Sequence, residues 1–153
     1  MATRIKPAAK DLYDEDFYVW AQSQAELLRD KRFDELDLAN LIEEVADLAG
    51  AMRRSVRNRT ITIMVHLLKL QYSPATDPRL GWRESIRTQR TRLLTDLTPK
   101  LRHELADELP DAYIRARHDA EGSLRDHGEH DAADALPTTC PYTFDQITGD
   151  WLP

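Results

Sequence analysis

Glu43 and Asp47, with Glu44 between them, are the residues of this chain best spaced for metal chemistry. On a helix, side chains four apart share a face with Cβ atoms about 5–6 Å apart, close enough to hold Mg²⁺ together with water. Such a face could serve the hydrolysis of phosphorylated nucleotides, provided a second acidic pair stood on a facing helix. Glu108 and Asp111 have the spacing, but Pro110 lies between them at an expected helix break. A solvated face, or a set of partners for arginines, accounts for the same three acids without chemistry.

His66 is the second candidate. It sits in the most apolar stretch of the chain, Ile61 to Leu70, where it could ligate a metal or act as a base. It cannot share a site with Glu44 along one helix, because 22 residues at 1.5 Å each separate them by roughly 33 Å. The plainer expectation is a polar core network of His66, Lys69 and Glu84, with His66 at least half buried and hydrogen-bonded. Cys140, the only cysteine, would need an adjacent His and a lowered pKa to act as a nucleophile. A packed anchor for the C-terminal tail suits it better. One cysteine also excludes an internal disulfide and a multi-cysteine zinc site.

The third candidate is a set of arginines: Arg53, Arg54 and Arg57, followed by Arg83, Arg87 and Arg90 at steps of four and three. Guanidinium forks suit phosphate and carboxylate, so these six are candidate anion-binding residues. The charge of the whole chain weighs on that reading. Residues 51–103 carry 12 Lys/Arg against 3 Asp/Glu, residues 1–50 carry 6 against 12, and residues 104–153 carry 3 against 12. Either the basic middle offers an anion-binding surface, or it neutralises itself against the acidic ends on folding. A helical hairpin would set Asp14 to Asp16 beside Arg53 to Arg57. That pairing and the pI near 5.3 argue against a dedicated nucleic-acid binder.

These side chains must be positioned by helices. Gly is scarce, at 5, and most of the 8 Pro fall at expected element edges, which suits a few long helices. No run alternates as a strand would. The spacing predicts a helix from Asp14, acting as N-cap, to about Arg29, with Tyr13 stapled onto Tyr18 and Phe17, Trp20, Ala21, Leu27 and Leu28 facing inward. Asp37 opens the next. Apolar steps of three and four then run from Leu38 through Leu41, Ile42, Val45, Leu48 and Met52 to Leu70 almost unbroken, predicting one helix over residues 38–72. Pro74 and Pro78 end it. A third helix follows Trp82, Thr98-Pro99 restarts it, Pro110 restarts it again, and Gly122 ends that segment. Residues 123–139 read as irregular. Thr143 and Gln146 form a capping-box pattern for a short helix that Gly149 ends.

The expected fold is therefore all-α, an antiparallel helical bundle built on one long central helix, with the C-terminal tail folded back. Residues 1–12 read as a flexible arm and 13–153 as a single bundle domain. Met1 to Lys10 lacks the apolar core of a signal peptide, and no stretch is apolar enough for a membrane span. The expected location is cytoplasmic.

Tyr13-Asp14-x-Asp16-Phe17-x-x-Trp20 resembles the opening of the bacterial domain-of-unknown-function family number twenty-nine, common in cyanobacteria. The same holds for Asp37-x-x-Asn40-Leu41-x-Glu43-Glu44, His66-Leu67-Leu68-Lys69, Trp82 with Gln89-Arg90, and Cys140-Pro141-Tyr142-Thr143. Lys31, Asp47 and Leu70 depart mildly from the family's usual residues. The resemblance implies an all-helical bacterial protein and transfers no catalytic residue. Separately, Glu43-Glu44-x-x-Asp47 resembles the first acidic motif of all-helical nucleotide pyrophosphohydrolases. The reading that best fits all of this is a helical module without cofactor that binds a protein partner or self-associates. Its alternatives are the Mg²⁺-dependent hydrolase of Glu43, Glu44 and Asp47 and nucleic-acid binding through the arginines. An exposed apolar patch above a few hundred Å² would favour the partner.

Overall fold

The computed structural model describes the backbone of residues 9–153 and the side chains from Leu12 onward. Within them the chain forms eight α-helices and no strand, as the spacing of apolar residues requires. They are α1 (Ala9–Glu15), α2 (Phe17–Arg29), α3 (Leu38–Tyr72), α4 (Arg79–Asp96), α5 (Pro99–Asp107), α6 (Leu109–Asp126), α7 (His130–Asp134) and α8 (Phe144–Thr148). The contacts gather into two compact units, the first ending at Ala51 and the second running from Met52 to Pro153. Most of the expected N-terminal arm, residues 1–8, lies outside the described residues, and α1 takes in the rest of it.

In the first unit the chain turns at Asp16 rather than Asp14. Asp16 leaves the helical conformation at φ −150° and its carboxylate accepts from Val19 N at 3.1 Å, so it closes α1 and caps α2. Tyr13 packs on Phe17 and Trp20 and not on Tyr18, because the break at Asp16 swings α1 across the inner face of α2. After Arg29 the chain passes through Lys31, at φ 60°, and a single 3-10 turn, Phe33–Glu35, into α3. α3 carries 35 residues without interruption at Gly50 or Arg59.

The second unit holds the larger core. Ile63, Met64, Leu67 and Leu68 of α3 are fully buried against Ile86 and Leu93 of α4 and against α6. Ala112, Ala116 and Ala120 fall at steps of four on α6 and have no exposed area, and small side chains on one ridge let a neighbouring helix approach closely. α3 and α4 are antiparallel. Arg59 meets Asp96 at 3.3 Å, Lys69 lies over the Trp82 ring at 5.6 Å, and Arg79 donates to Leu70 O at 2.7 Å. Arg79 thus satisfies an orphan carbonyl at the end of α3 while opening α4, which starts before Trp82 for that reason.

Thr98 caps α5 by accepting from Leu101 N at 3.3 Å, with Pro99 in the first turn. Glu108 ends α5 and begins α6. α6 runs through Gly122 to Asp126. Its true end is Gly128, at φ 77°, where Gly128 N donates to Arg125 O and Glu129 N to Leu124 O at 2.9 Å each. That pair of bonds is a Schellman motif, and glycine accepts its left-handed backbone without steric cost. Residues 130–134, expected to be irregular, are α7.

The tail folds back as expected. Thr143 and Gln146 form the reciprocal capping box of α8. Ile147 has no exposed area, and Tyr142 donates to Gln71 Oε1 at 3.2 Å.

Candidate functional site

The first unit is a two-helix hairpin of α2 and the start of α3, braced by α1. Asp37 is its hub. Its backbone N–H donates to Gln24 Oε1 at 2.8 Å, and its carboxylate accepts from Trp20 Nε1 at 3.1 Å and from Asn40 Nδ2 at 2.7 Å. Tyr13 donates to Glu44 Oε1 at 2.6 Å, which ties α1 to α3. That bond, followed by desolvation and the neighbouring carboxylates, raises the Tyr13 hydroxyl to about 12. The rings of Tyr13 and Trp20 meet edge to face at 4.9 Å.

Beside this hub lies an open groove of about 260 Å³, lined by Phe17, Ala21 and Leu28 of α2 and by Leu41, Val45 and Leu48 of α3. The sequence reads these residues as core. The structure leaves Phe17 49%, Leu28 43%, Val45 62% and Leu48 65% exposed, and Leu38 and Ile42 alongside at 58% and 60%. At 100° per residue, the apolar arc of α3 spans roughly 120° from Leu48 to Ile42, wider than the single helix α2 can cover. That width is the signal that could have marked the groove in the sequence. Gln24 sits at its base, 1% exposed, with its Nε2 lacking an acceptor among the described residues.

The acidic candidates have different partners. Glu44 is engaged by Tyr13, while Glu43 and Asp47 have no ion-pair partner among the described residues. Glu108 is paired with Arg53. No group of three or more His, Cys, Asp or Glu among the described residues is placed to hold a metal.

The arginines also differ in their partners. Arg53, expected beside the acidic start of the chain, pairs with Glu104 at 3.5 Å and with Glu108. Arg90 is 8% exposed, and its guanidinium donates to the carbonyls of Ile147 at 2.9 Å, Gln146 at 2.8 Å and Trp151 at 2.7 Å. It acts as a clamp on the tail, with its guanidinium engaged by three carbonyls. Arg54, Arg57, Arg83 and Arg87 have no ion-pair partner among the described residues. Arg83 and Arg87 border the Arg90 clamp together with Thr148 and Asp150.

His66 is partly buried, as expected, but makes no hydrogen bond among the described residues, and its Nδ1 is buried without a partner. Glu84 is exposed and takes no part. The carboxylate acting on Lys69 is Glu129, beyond the end of α6, so the network expected from His66, Lys69 and Glu84 is not assembled. Burial, and after it Lys69, lowers the His66 pKa below its ordinary value of about 6.5. The unfolded chain therefore binds this proton first, and folding stability falls as pH drops through the window below about 6.5. Thermal unfolding followed from pH 7 to pH 5 should show a steeper loss in the wild type than in His66→Gln. Parallel curves would contradict the assignment. Cys140, half-buried with its thiol toward Tyr142 O at 3.5 Å, is pushed up by burial, the reverse of what a nucleophile needs.

Fold and groove together define an all-helical protein with an exposed apolar groove between α2 and α3. No described helix is long and apolar enough to cross a membrane. The chain belongs to the family described as Domain of unknown function DUF29, whose model matches residues 12–152. No curated protein and no solved structure matches the chain significantly.

Proposed function

We propose that this chain is a cytoplasmic, non-enzymatic docking module whose first unit takes a helix of a protein, foreign or its own, into the groove between α2 and α3. The observation that carries the reading is the run of large apolar side chains left about half exposed on one face of α2 and α3. Contiguous apolar surface of more than a few hundred Å² on a globular protein marks a protein contact. An amphipathic helix laid into such a groove is a common mode of recognition. The lining is open and mostly apolar, with Gln24 and the Tyr13-bound Glu44 as its polar groups.

A photo-cross-linking side chain at Leu48 tests it, with the same group at Glu26 on the outer face of α2 as control. Discrete protein adducts from position 48 and none from 26 are expected in the source cell. Equal labelling from both positions, or none from either, would remove the reading.

A further inference from the structure

We infer that the occupant of the groove is a second copy of the same unit, so that two α2–α3 hairpins close into a four-helix bundle about a twofold axis. This rests on the docking reading above and supplies its partner. Two helices cannot enclose a core, and stable helical architectures bury their apolar stripes between layers. Among its described residues the first unit buries only Trp20 and Gln24. Two further helices complete the minimal bundle, and an identical hairpin brings two at once.

The exposed stripe of α3 has the spacing of a helix–helix seam. Leu38, Ile42, Val45 and Ala49 follow steps of four, three and four, and Leu41 and Leu48 widen it toward α2. The area fits an isologous contact. Six large side chains in and beside the groove, Phe17, Leu28, Leu38, Ile42, Val45 and Leu48, retain 43–65% of their surface, or roughly 100 Å² each and 600–700 Å² per copy. This approaches the ~800 Å² that each partner contributes to a standard specific interface.

Charge decides between a copy and a foreign helix. Residues 1–50 are net acidic, which would oppose self-association if the charge lay on the seam. Most of it does not. Glu43 and Asp47 project roughly 160° around α3 from Val45, and Glu26 projects about 180° around α2 from Phe17. The one acid that lines the groove, Glu44, lies about 100° around α3 from Val45 and accepts from the Tyr13 hydroxyl, so a basic helix finds a single, already engaged carboxylate, and a copy meets only that one like charge at the edge of its seam. The unpaired Nε2 of Gln24 also favours a polypeptide, because a purely apolar occupant would seal that donor away from any acceptor.

Sedimentation equilibrium of the full chain at tens of micromolar should return the mass of two chains rather than 17.6 kDa. Ile42→Lys and Leu48→Lys each place a charge in the seam and should weaken the dimer by on the order of 100-fold. Both positions are exposed in the single chain, so circular dichroism should show each variant as helical as the wild type. Glu26→Lys, exposed and about 180° around α2 from Phe17, should leave the dimer intact. A 17.6 kDa species at every concentration, or a dimer indifferent to both lysines, overturns the inference. In a monomeric protein, an adduct from the Leu48 cross-linker with another protein would keep the docking reading and remove only the second copy. The absence of any adduct would remove both.

Discussion

Arg90→Met should lower stability by about 3–5 kcal/mol and release the C-terminal tail. The size follows from what the guanidinium does. α8 has five residues, so nearly all its carbonyls lack an intrahelical partner. Arg90 reaches out of α4 to two of them, Gln146 O and Ile147 O, and to Trp151 O beyond. Hydrogen bonds from a charged donor are worth about 1.5–3 kcal/mol each, and methionine would leave all three acceptors without their donor. The sum is held below three separate bonds because the freed tail can turn its carbonyls to water. Arg90→Lys should recover only part of the loss, since an ammonium lacks the planar fork that spans three oxygens. Thermal unfolding measures the first effect and carboxypeptidase digestion the second. A variant as stable as the wild type, with a tail equally resistant to digestion, would refute the clamp.

Trp20→Ala should cost about 3–5 kcal/mol, the usual penalty for truncating a buried aromatic, and should act on the first unit alone. Trp20 is 2% exposed, packs against Tyr13 and Phe17, and holds Asp37 through its indole N–H. With only Gln24 buried beside it, the first unit has little else to oppose the loss. Hydrogen exchange should therefore show α2 amides losing protection while α4 and α6 keep theirs, because opening is local where the core is local. Trp20→Phe, which keeps an aromatic ring but loses the indole N–H and part of the buried volume, should cost less, about 1–3 kcal/mol. Uniform loss of protection along the whole chain would show that the first unit does not unfold by itself.

Local features were legible in the sequence. The limits of α3 follow from apolar stepping between Asp37 and Pro74, and the caps at Thr98 and Thr143 follow from residue types three apart. Family membership followed from short motifs in the right order. Long-range partners were not legible. Spacing groups Arg90 with Arg83 and Arg87, yet its acceptors lie 56–61 residues away. Spacing sets Lys69 with Glu84 across an antiparallel turn, whereas the carboxylate whose charge acts on it is Glu129, beyond α6. Gly122 reads as a stop, but one glycine in an exposed turn costs only about 1 kcal/mol, which the packed alanine face of α6 overrides. The groove was missed for a related reason. Periodicity reports that a face is apolar, not that a neighbour covers it.

The clamp on the tail also orders events during synthesis. Ile147 belongs to the core of the second unit, and the carbonyls that Arg90 binds are made more than fifty residues after it. While the ribosome is still extending the chain, Arg90 has no acceptors and the pocket for Ile147 stands open to water. Interruption before Gln146 would leave an apolar hole beside an unsatisfied guanidinium, a marked target for chaperones and proteases. The tail closes the second unit, and only a nascent chain extended through Trp151 can make every bond of that closure.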